Sequence, residues 1–424
     1  MGKRIVLITL VTPASENIRG TSALPYHLIK GVGNVNAGQN GNSLAGVGAD
    51  NPLELQTHIF EIYSFNSNKL SDEKIAEVEK ELGAKIEIIR LPKWYMWMFK
   101  FHLLFFRLFL KYPFVNYIKL PHHLVKEISL RNPDYIWVMG EELSRVVKQF
   151  PKSRRIQIGP DTESLYYYRM LGQRFVLKDT FNYWKCALMY RKYARMEKNF
   201  CTDDSFTYYA VGEEDVTHLK VINPHINARF LRHPHYEIND KANGNIKFHK
   251  PKIKLLIAGQ YNLYMKQDGD LLVEQINDNA NVNDNYLKEH YSITFLGKGW
   301  EKHVETLRGA GYEVEHIRFA PDYIEEICKY DIQITPISIG TGTKGKVLDA
   351  LANGLLVIGT KYAMENIAVK NGESCIEYDD AKEVIGILKD IPYDIQKYEK
   401  IAEEGRRCVL EYHNREKIAR ELFG

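Results

Sequence analysis

The stretch Asp331–Thr360 reads DIQITPISIGTGTKGKVLDALANGLLVIGT, and its punctuation decides the fold. Ile332, Ile334, Ile337 and Ile339 lead into Gly340-Thr-Gly-Thr-Lys-Gly-Lys346. Val347, Leu348, Ala350 and Leu351 then recur at helical spacing, Gly354 closes the pattern, and a second apolar run follows at Leu355–Ile358. Strand, glycine loop, helix and strand make a βαβ unit of an α/β fold. A loop at the start of a helix presents backbone N–H groups and the positive end of the helix dipole. Lys344 and Lys346 add positive charge, so the chemistry this segment suits best is holding phosphate.

Three motifs overlap here. Gly340, Gly342 and Gly345 spell G-x-G-x-x-G, the dinucleotide fingerprint. Gly340 to Lys346 also spells G-x-x-x-x-G-K, most of a P-loop. A P-loop needs Ser or Thr next to hold Mg²⁺, and Val347 has no hydroxyl. The dinucleotide fingerprint usually follows the first strand of its domain and is answered by an acidic residue ending the second, where this chain has Gly359-Thr360. The third reading is the diphosphate of a sugar nucleotide, with Asp349 one turn into the helix. A tight turn without a ligand is the bland reading, but three glycines and two lysines exceed what a turn needs.

Working outward, 424 residues suffice for two α/β domains of roughly 200 residues each. A net charge of +3 carries no nucleic-acid signature. The five cysteines are scattered without a C-x-x-C pair, which argues for a reducing, cytoplasmic setting and against a disulfide frame or zinc site. The fourteen histidines contain no H-E-x-x-H, and no metal site is expected. Ile5–Val11 reads as a first strand rather than a signal peptide.

In the first half, strands are expected at Arg4–Leu10, Glu54–Phe65, Lys85–Ile89, Asp134–Met139, Arg155–Ile158 and Phe206–Val211. Gly31–Pro52, rich in Gly and Asn, is expected as a mobile loop or as an acceptor lid. Asn239–Lys250 reads as the linker, which places one domain at residues 1–240 and the other at 251–424. In the second, strands recur at Lys252–Ala258, Tyr291–Leu296, Val314–Ile317, Ile332–Thr335 and Leu355–Ile358, alternating with helical stretches. Tyr393–Phe423 is charged and helical, and its end is a candidate to return to the first domain.

Lys93–Val115, KWYMWMFKFHLLFFRLFLKYPFV, is the densest apolar stretch. Lys100, His102 and Arg107 interrupt it too often for a transmembrane span. On one continuous helix Lys93, Lys100, Arg107 and Lys111 fall within about 40° of one line. A basic stripe on an aromatic helix suits an anionic membrane surface. A core helix with one wet, charged face is the equal alternative.

The second half resembles the group 1 (family four) glycosyltransferases of GT-B fold. The resemblance is carried by Lys254–Gly259, Lys266 with Gly269-Asp270-Leu271-Leu272, Thr294–Gly299, Ile317–Pro321, Tyr330-Asp331-Ile332 and, most specifically, Gly340–Gly354. Ala363–Ile367 stands where that family reads Gly-x-Glu-Gly. In the first half, Ile5–Ser22 and Val211–Asp215 are similar to the family's first loop and final N-domain helix start.

The resemblance implies two doubly wound Rossmann-like domains facing a central cleft. The C-terminal one would bind a nucleotide-diphosphate sugar, UDP or GDP based, and the N-terminal one a glycan or lipid-linked acceptor. It implies Gly259, Gly340, Gly342, Thr343 and Lys344 at the diphosphate, and Asp349 at the ribose. Lys266 would neutralise the leaving phosphates, Phe319 and Ala320 would stack the base, and Glu365 would touch donor-sugar hydroxyls. The family commonly carries two glutamates with seven residues between them; this chain has Thr341 and Asp349 there. Gln260 replaces a frequent arginine, so Lys266 and Lys346 must supply more of the charge.

Transfer leaves negative charge on the departing diphosphate, which fixed amides plus Lys266 and Lys346 are expected to stabilise without a metal. No cofactor is expected beyond the sugar nucleotide, which is substrate. Asp161, after a strand in Gly159-Pro160-Asp161, orients an acceptor hydroxyl, binds donor sugar, or is a turn residue. Gly20, His122 and His123 are acceptor-side candidates; the histidines equally suit a helix start after Pro121. The function expected is glycosyl transfer, with retention, in polysaccharide or cell-envelope synthesis at the inner membrane face. Two alternatives stay open: another GT-B enzyme, an epimerase or phosphorylase, and a dinucleotide-binding module built on Gly340–Gly345.

Overall fold

Ile5, Val6, Leu7 and Ile8 are all fully buried, which a strand achieves only when both faces of its sheet are covered. Side chains alternate along a strand, so Val6 and Ile8 join one core with Ile136 and Val138. Ile5 and Leu7 join a second core with Trp137 and Met139. The computed structural model describes residues 2–15, 20–33, 58–173, 180–239, 246–281 and 284–424.

The chain forms two compact units. The first contains Met1–Tyr168, Phe181–Pro234 and Arg415–Gly424, and the second Arg169–Thr180 and His235–Asn414. In the first unit seven strands are β1 (Arg4–Thr9), β2 (Ile59–Ser64), β3 (Lys85–Ile88), β4 (Tyr135–Met139), β5 (Arg155–Gly159), β6 (Phe206–Ala210) and β7 (Ala228–Phe230). They pair in the order β3-β2-β1-β4-β5-β6-β7. All these pairs are parallel, with Ile5 opposite both Phe60 and Tyr135.

The second unit holds β8 (Ile253–Ala258), β9 (Tyr291–Leu296), β10 (Val314–Ile317), β11 (Ile332–Thr335), β12 (Leu356–Gly359) and β13 (Ile376–Glu377). Their order is β10-β9-β8-β11-β12-β13, again all parallel. Helices alternate with these strands, so both units are doubly wound α/β folds.

One expectation needs correction. The single helix over Lys93–Val115 does not form. A helix covers Lys93–Lys100, His102 turns left-handed at φ 54°, and a 3-10 segment follows at Leu103–Phe109. Helices in proteins are held by packing an apolar face, and no residue of Lys93–Lys100 is buried. Lys93 and Lys100 keep their shared face, whereas Arg107 and Lys111 lie beyond its end. The helical stretch Tyr393–Phe423 comprises two helices, Ile395–Tyr412, in the second unit, and Arg415–Phe423, in the first. His413 between them is buried. Its Nε2 accepts the Ala368 amide at 3.0 Å, and its carbonyl accepts the His235 amide at 2.8 Å. In the first unit Phe423 packs edge-on against Phe60, at 5.5 Å between ring centres.

Of Gly31–Pro52, Gly31–Gly33 end the helix Gly20–Gly33, and the rest lies outside the described residues, as do residues 54–57 and 240–245.

Candidate functional site

In the second sheet β8 and β11 are neighbours, yet the chain continues from β8 towards β9 and β10 and from β11 towards β12 and β13. Loops leaving the carboxyl ends of two such strands diverge and open a crevice, the usual ligand position in doubly wound folds. The loop after β8 starts at Gly259 and the loop after β11 runs to Lys344. The two are stitched together by Ser338. Its amide donates to the Tyr264 carbonyl at 2.7 Å, and its hydroxyl accepts the Asp268 amide at 2.9 Å. Gly259 adopts φ 137°, a region closed to other residues, and a Cβ there would stand 2.6 Å from Met265 Sδ. Its carbonyl accepts Trp300 Nε1–H at 2.8 Å, which fixes the close turn.

The βαβ unit forms as its sequence requires, with the helix at Gly345–Ala352 and Lys344 as its N-cap, which makes no side-chain capping bond. The two lysines do different things. Lys344 folds back over the loop: its Nζ donates to the Thr341 carbonyl at 2.7 Å and the Gly342 carbonyl at 3.3 Å. It fills the space a Cβ on Gly340 would need. Its charge therefore shapes the loop. Lys346 is half-buried, and its Nζ, 5.3 Å from the ring centre of Tyr323, hydrogen-bonds to none of the described residues. Burial holds its pKa below the usual lysine value, and the charge of Asp349 works against that shift. A half-dry ammonium with no hydrogen-bonded partner is a standing electrostatic cost that an anion removes.

Lys266 opens the helix Lys266–Asn281 after the β8 loop and is exposed. Phe319, after β10, is 65 % exposed, and Ala320 beside it is half-buried. Asp349 is only 1 % exposed, and its charge helps push the phenols of Tyr236 and Tyr323 further up, after burial itself. Glu365 is gripped by Arg169 through two bonds of 2.7 and 2.8 Å, and Arg169 also donates to the Gly340 carbonyl at 2.5 Å. Asn366 donates to the Gly342 carbonyl at 2.8 Å. The glycine loop is thus clamped from one side by Arg169 and Asn366, neither of which the sequence singled out. Nothing in the spacing around Arg169 marks it, because its partners lie 171 and 196 residues away.

In the first unit the comparable divergence lies between β1 and β4. Gly20 starts the helix Gly20–Gly33 beside Pro160, where a Cβ would find an ordinary 3.7 Å contact. Asp161 is exposed, and so are His122 and His123, the first two residues of the helix His122–Leu130.

Directly after β4 stands a group of carboxyls that sequence reasoning missed. Glu141 is buried, and neither carboxyl oxygen has a hydrogen-bond partner among the described residues. Burial, then the charges of Glu197, Glu163 and Glu142, push its pKa well up. Burial also pushes Glu163 up to about 8 and Glu197 up to about 7. Glu142 accepts from Tyr193 Oη at 2.7 Å, and Glu197 accepts the Ser164 amide at 3.1 Å. Carboxyls that ionise near neutrality suit proton transfer. The readable signal was Gly140-Glu141-Glu142 at the end of the apolar strand YIWVM.

Residues 271–424 match a family model described as glycosyl transferase-like. No curated protein sequence matches the chain. Among solved structures, HepE from Anabaena in complex with UDP and glucose is 10 % identical, with a TM-score of 0.60 over 99 % of this chain and 98 % of that one. Sucrose-phosphate synthase from Thermosynechococcus elongatus is 12 % identical, with a TM-score of 0.61 over 99 % and 97 %. WaaG, a glycosyltransferase involved in lipopolysaccharide biosynthesis, is 13 % identical, with a TM-score of 0.57 over 99 % and 100 %. At such identities these likenesses speak for the fold, which is GT-B throughout.

Proposed function

We propose that this chain, a glycosyltransferase of GT-B fold whose residues 271–424 match a family model described as glycosyl transferase-like, moves a sugar from a UDP-sugar to a glycan or lipid-linked acceptor. The second unit takes the donor and the first the acceptor. The observation that carries this reading is Lys346: a half-buried ammonium without a hydrogen-bonded partner, one residue into a helix that follows a clamped glycine loop at the sheet's point of divergence. Uracil is favoured as the base because HepE was solved with UDP and with UDP-glucose.

Breaking the anomeric C–O bond leaves negative charge on the diphosphate. Donors already fixed in place stabilise that charge without reorganising. The loop Gly340–Lys344 and the positive end of the helix Gly345–Ala352 meet the phosphates, Lys346 neutralises them, and Lys266 completes the charge from the β8 loop. Phe319 stacks the base, and Glu365, held by Arg169, faces the donor sugar. Asp349 acts from below the loop through Lys346 and Tyr323; its burial argues against the direct ribose contact implied by the family resemblance. Asp161, Gly20, His122 and His123 border the acceptor. No step requires a metal, and we assign retention of anomeric configuration from the family resemblance.

The acceptor belongs to the cell envelope in this reading, with the protein at the inner face of a membrane. Support comes from the surface around Lys93–Phe109, where Trp97, Phe101, Phe105, Phe106, Leu108 and the 81 % exposed Phe109 lie among Lys93, Lys100 and Arg107. Among the described residues no helix is long and apolar enough to cross a membrane.

A panel of UDP- and GDP-sugars incubated with the protein, read by released nucleotide, tests the assignment. Release from at least one UDP-sugar, undiminished by EDTA, is expected. Thermal stabilisation by NAD but by no nucleoside diphosphate would favour the dinucleotide module instead.

A further inference from the structure

The first unit contains a second place built for an anion, distant in sequence from the glycine loop. A cavity of about 300 Å³ opens between Tyr112–Lys119, the segment Ser144–Gln149 and the end of the helix Thr180–Glu197. Three cations line it, Lys119, Arg145 and Lys148, and no carboxylate does. Arg145 stands 4.4 Å from the ring centre of Tyr117 and 5.3 Å from that of Tyr112. Contact with ring faces fixes the guanidinium plane and strips water from it, leaving the in-plane N–H fork to bind. Among the described residues no acceptor takes those N–H groups, and Lys119 is exposed without an ion pair. Lys148 spends one bond on the Asn199 carbonyl. The buried Ser144 hydroxyl accepts from Asn116 Nδ2 at 2.8 Å, which aims its own proton elsewhere.

A donor-rich wall with three positive charges and no negative one fits a planar or tetrahedral oxyanion, and the guanidinium fork matches phosphate in particular. The volume sits at the lower end of small-ligand sites, enough for a phosphate with its ester group. We propose that this cavity binds a phosphate group carried on a small headgroup. Tyr112, which lines it, lies three residues after the exposed Phe109 of the aromatic surface described above. A lipid phosphate and a soluble phosphoryl sugar share the chemistry, and the site is independent of the donor loop in the second unit.

Inorganic phosphate and pyrophosphate titrated into the full chain, followed by calorimetry, read the site. The variants are Arg145→Gln, Lys119→Glu and, for the separate loop, Lys346→Ala. Binding about tenfold weaker or worse in Arg145→Gln and Lys119→Glu, alongside a component that survives in Lys346→Ala, is the expected result. Lys119 is exposed, so Lys119→Glu carries the test should Arg145→Gln unfold, as judged by circular dichroism. A parallel arm measures flotation with phosphatidic acid vesicles against phosphatidylcholine vesicles. Loss of phosphatidic acid binding in the same variants assigns a lipid source; loss of inorganic phosphate binding alone assigns a soluble one. Anion binding unaltered by Arg145→Gln and Lys119→Glu, or abolished outright by Lys346→Ala, overturns the proposal.

Discussion

Lys346 holds its ammonium 5.3 Å from the ring centre of Tyr323, and no described hydrogen-bond acceptor meets it. A cation kept partly out of water in this way destabilises the folded protein until an anion arrives. Lys346→Met should therefore raise the unfolding free energy by about 1 kcal/mol while weakening nucleotide binding. Urea denaturation with and without UDP reads both. A variant that loses stability and binding together would point to a structural lysine instead.

Lys344, two residues earlier, should behave in the opposite sense. Its bonds to the Thr341 and Gly342 carbonyls close the loop. Lys344→Met should lower stability by about 1 kcal/mol, the worth of such bonds, and weaken UDP binding through a slack loop. The contrast between the two methionine variants is the informative quantity; identical behaviour contradicts the division of labour.

Arg169 and Glu365 form a two-bond pair in which both side chains are largely buried. Removing either partner leaves the other charge stranded, at roughly 3 kcal/mol. Arg169→Met with Glu365→Leu together should cost less than the sum of the two single changes, and turnover should fall in all three because Gly340 loses its clamp. Strict additivity in a double-mutant cycle would remove the pair from the account.

Glu163 and Glu197, whose charges bear on Glu141, set a pH dependence. Each has a folded pKa above the ordinary glutamate value of 4.5, so the folded state holds protons that the unfolded state releases. Stability linked to them is complete below pH 4.5 and declines as pH rises, through about 7 for Glu197 and about 8 for Glu163. Denaturant midpoints should fall between pH 5 and 9, and Glu163→Gln should flatten that decline. A rise in stability over the same interval would reverse the sign and refute the assignment.

The exposed aromatic surface predicts vesicle binding that depends on charge. Lys100→Glu with Arg107→Glu should release the protein from anionic vesicles and leave nucleotide binding intact. Equal co-sedimentation of variant and parent would return Lys93–Phe109 to a packing role within a larger assembly.

What the sequence made legible was local. Asp331–Thr360 could be read as strand, loop, helix and strand because glycines and helical spacing act within a few residues of each other, and strand positions followed from apolar runs. Contacts between distant segments were not readable. Arg169 finds Glu365 across 196 residues, and Lys344 and Lys346, two residues apart in one motif, differ only because the loop's curl turns one onto its own carbonyls. The aromatic run at Lys93 invited a single helix because periodicity does not record that no residue of Lys93–Lys100 is buried. Glu141 went unnoticed because its meaning lies in burial, and a carboxyl beside an apolar strand is ordinarily taken as the solvated end of that strand.

Calorimetric titration of UDP into the parent protein and into Lys346→Ala tests the donor site most directly. Measurable binding by the parent is expected, with a dissociation constant about 10- to 100-fold higher in the variant, the range of a charge-assisted bond to phosphate. Equal affinity in the two proteins would contradict it.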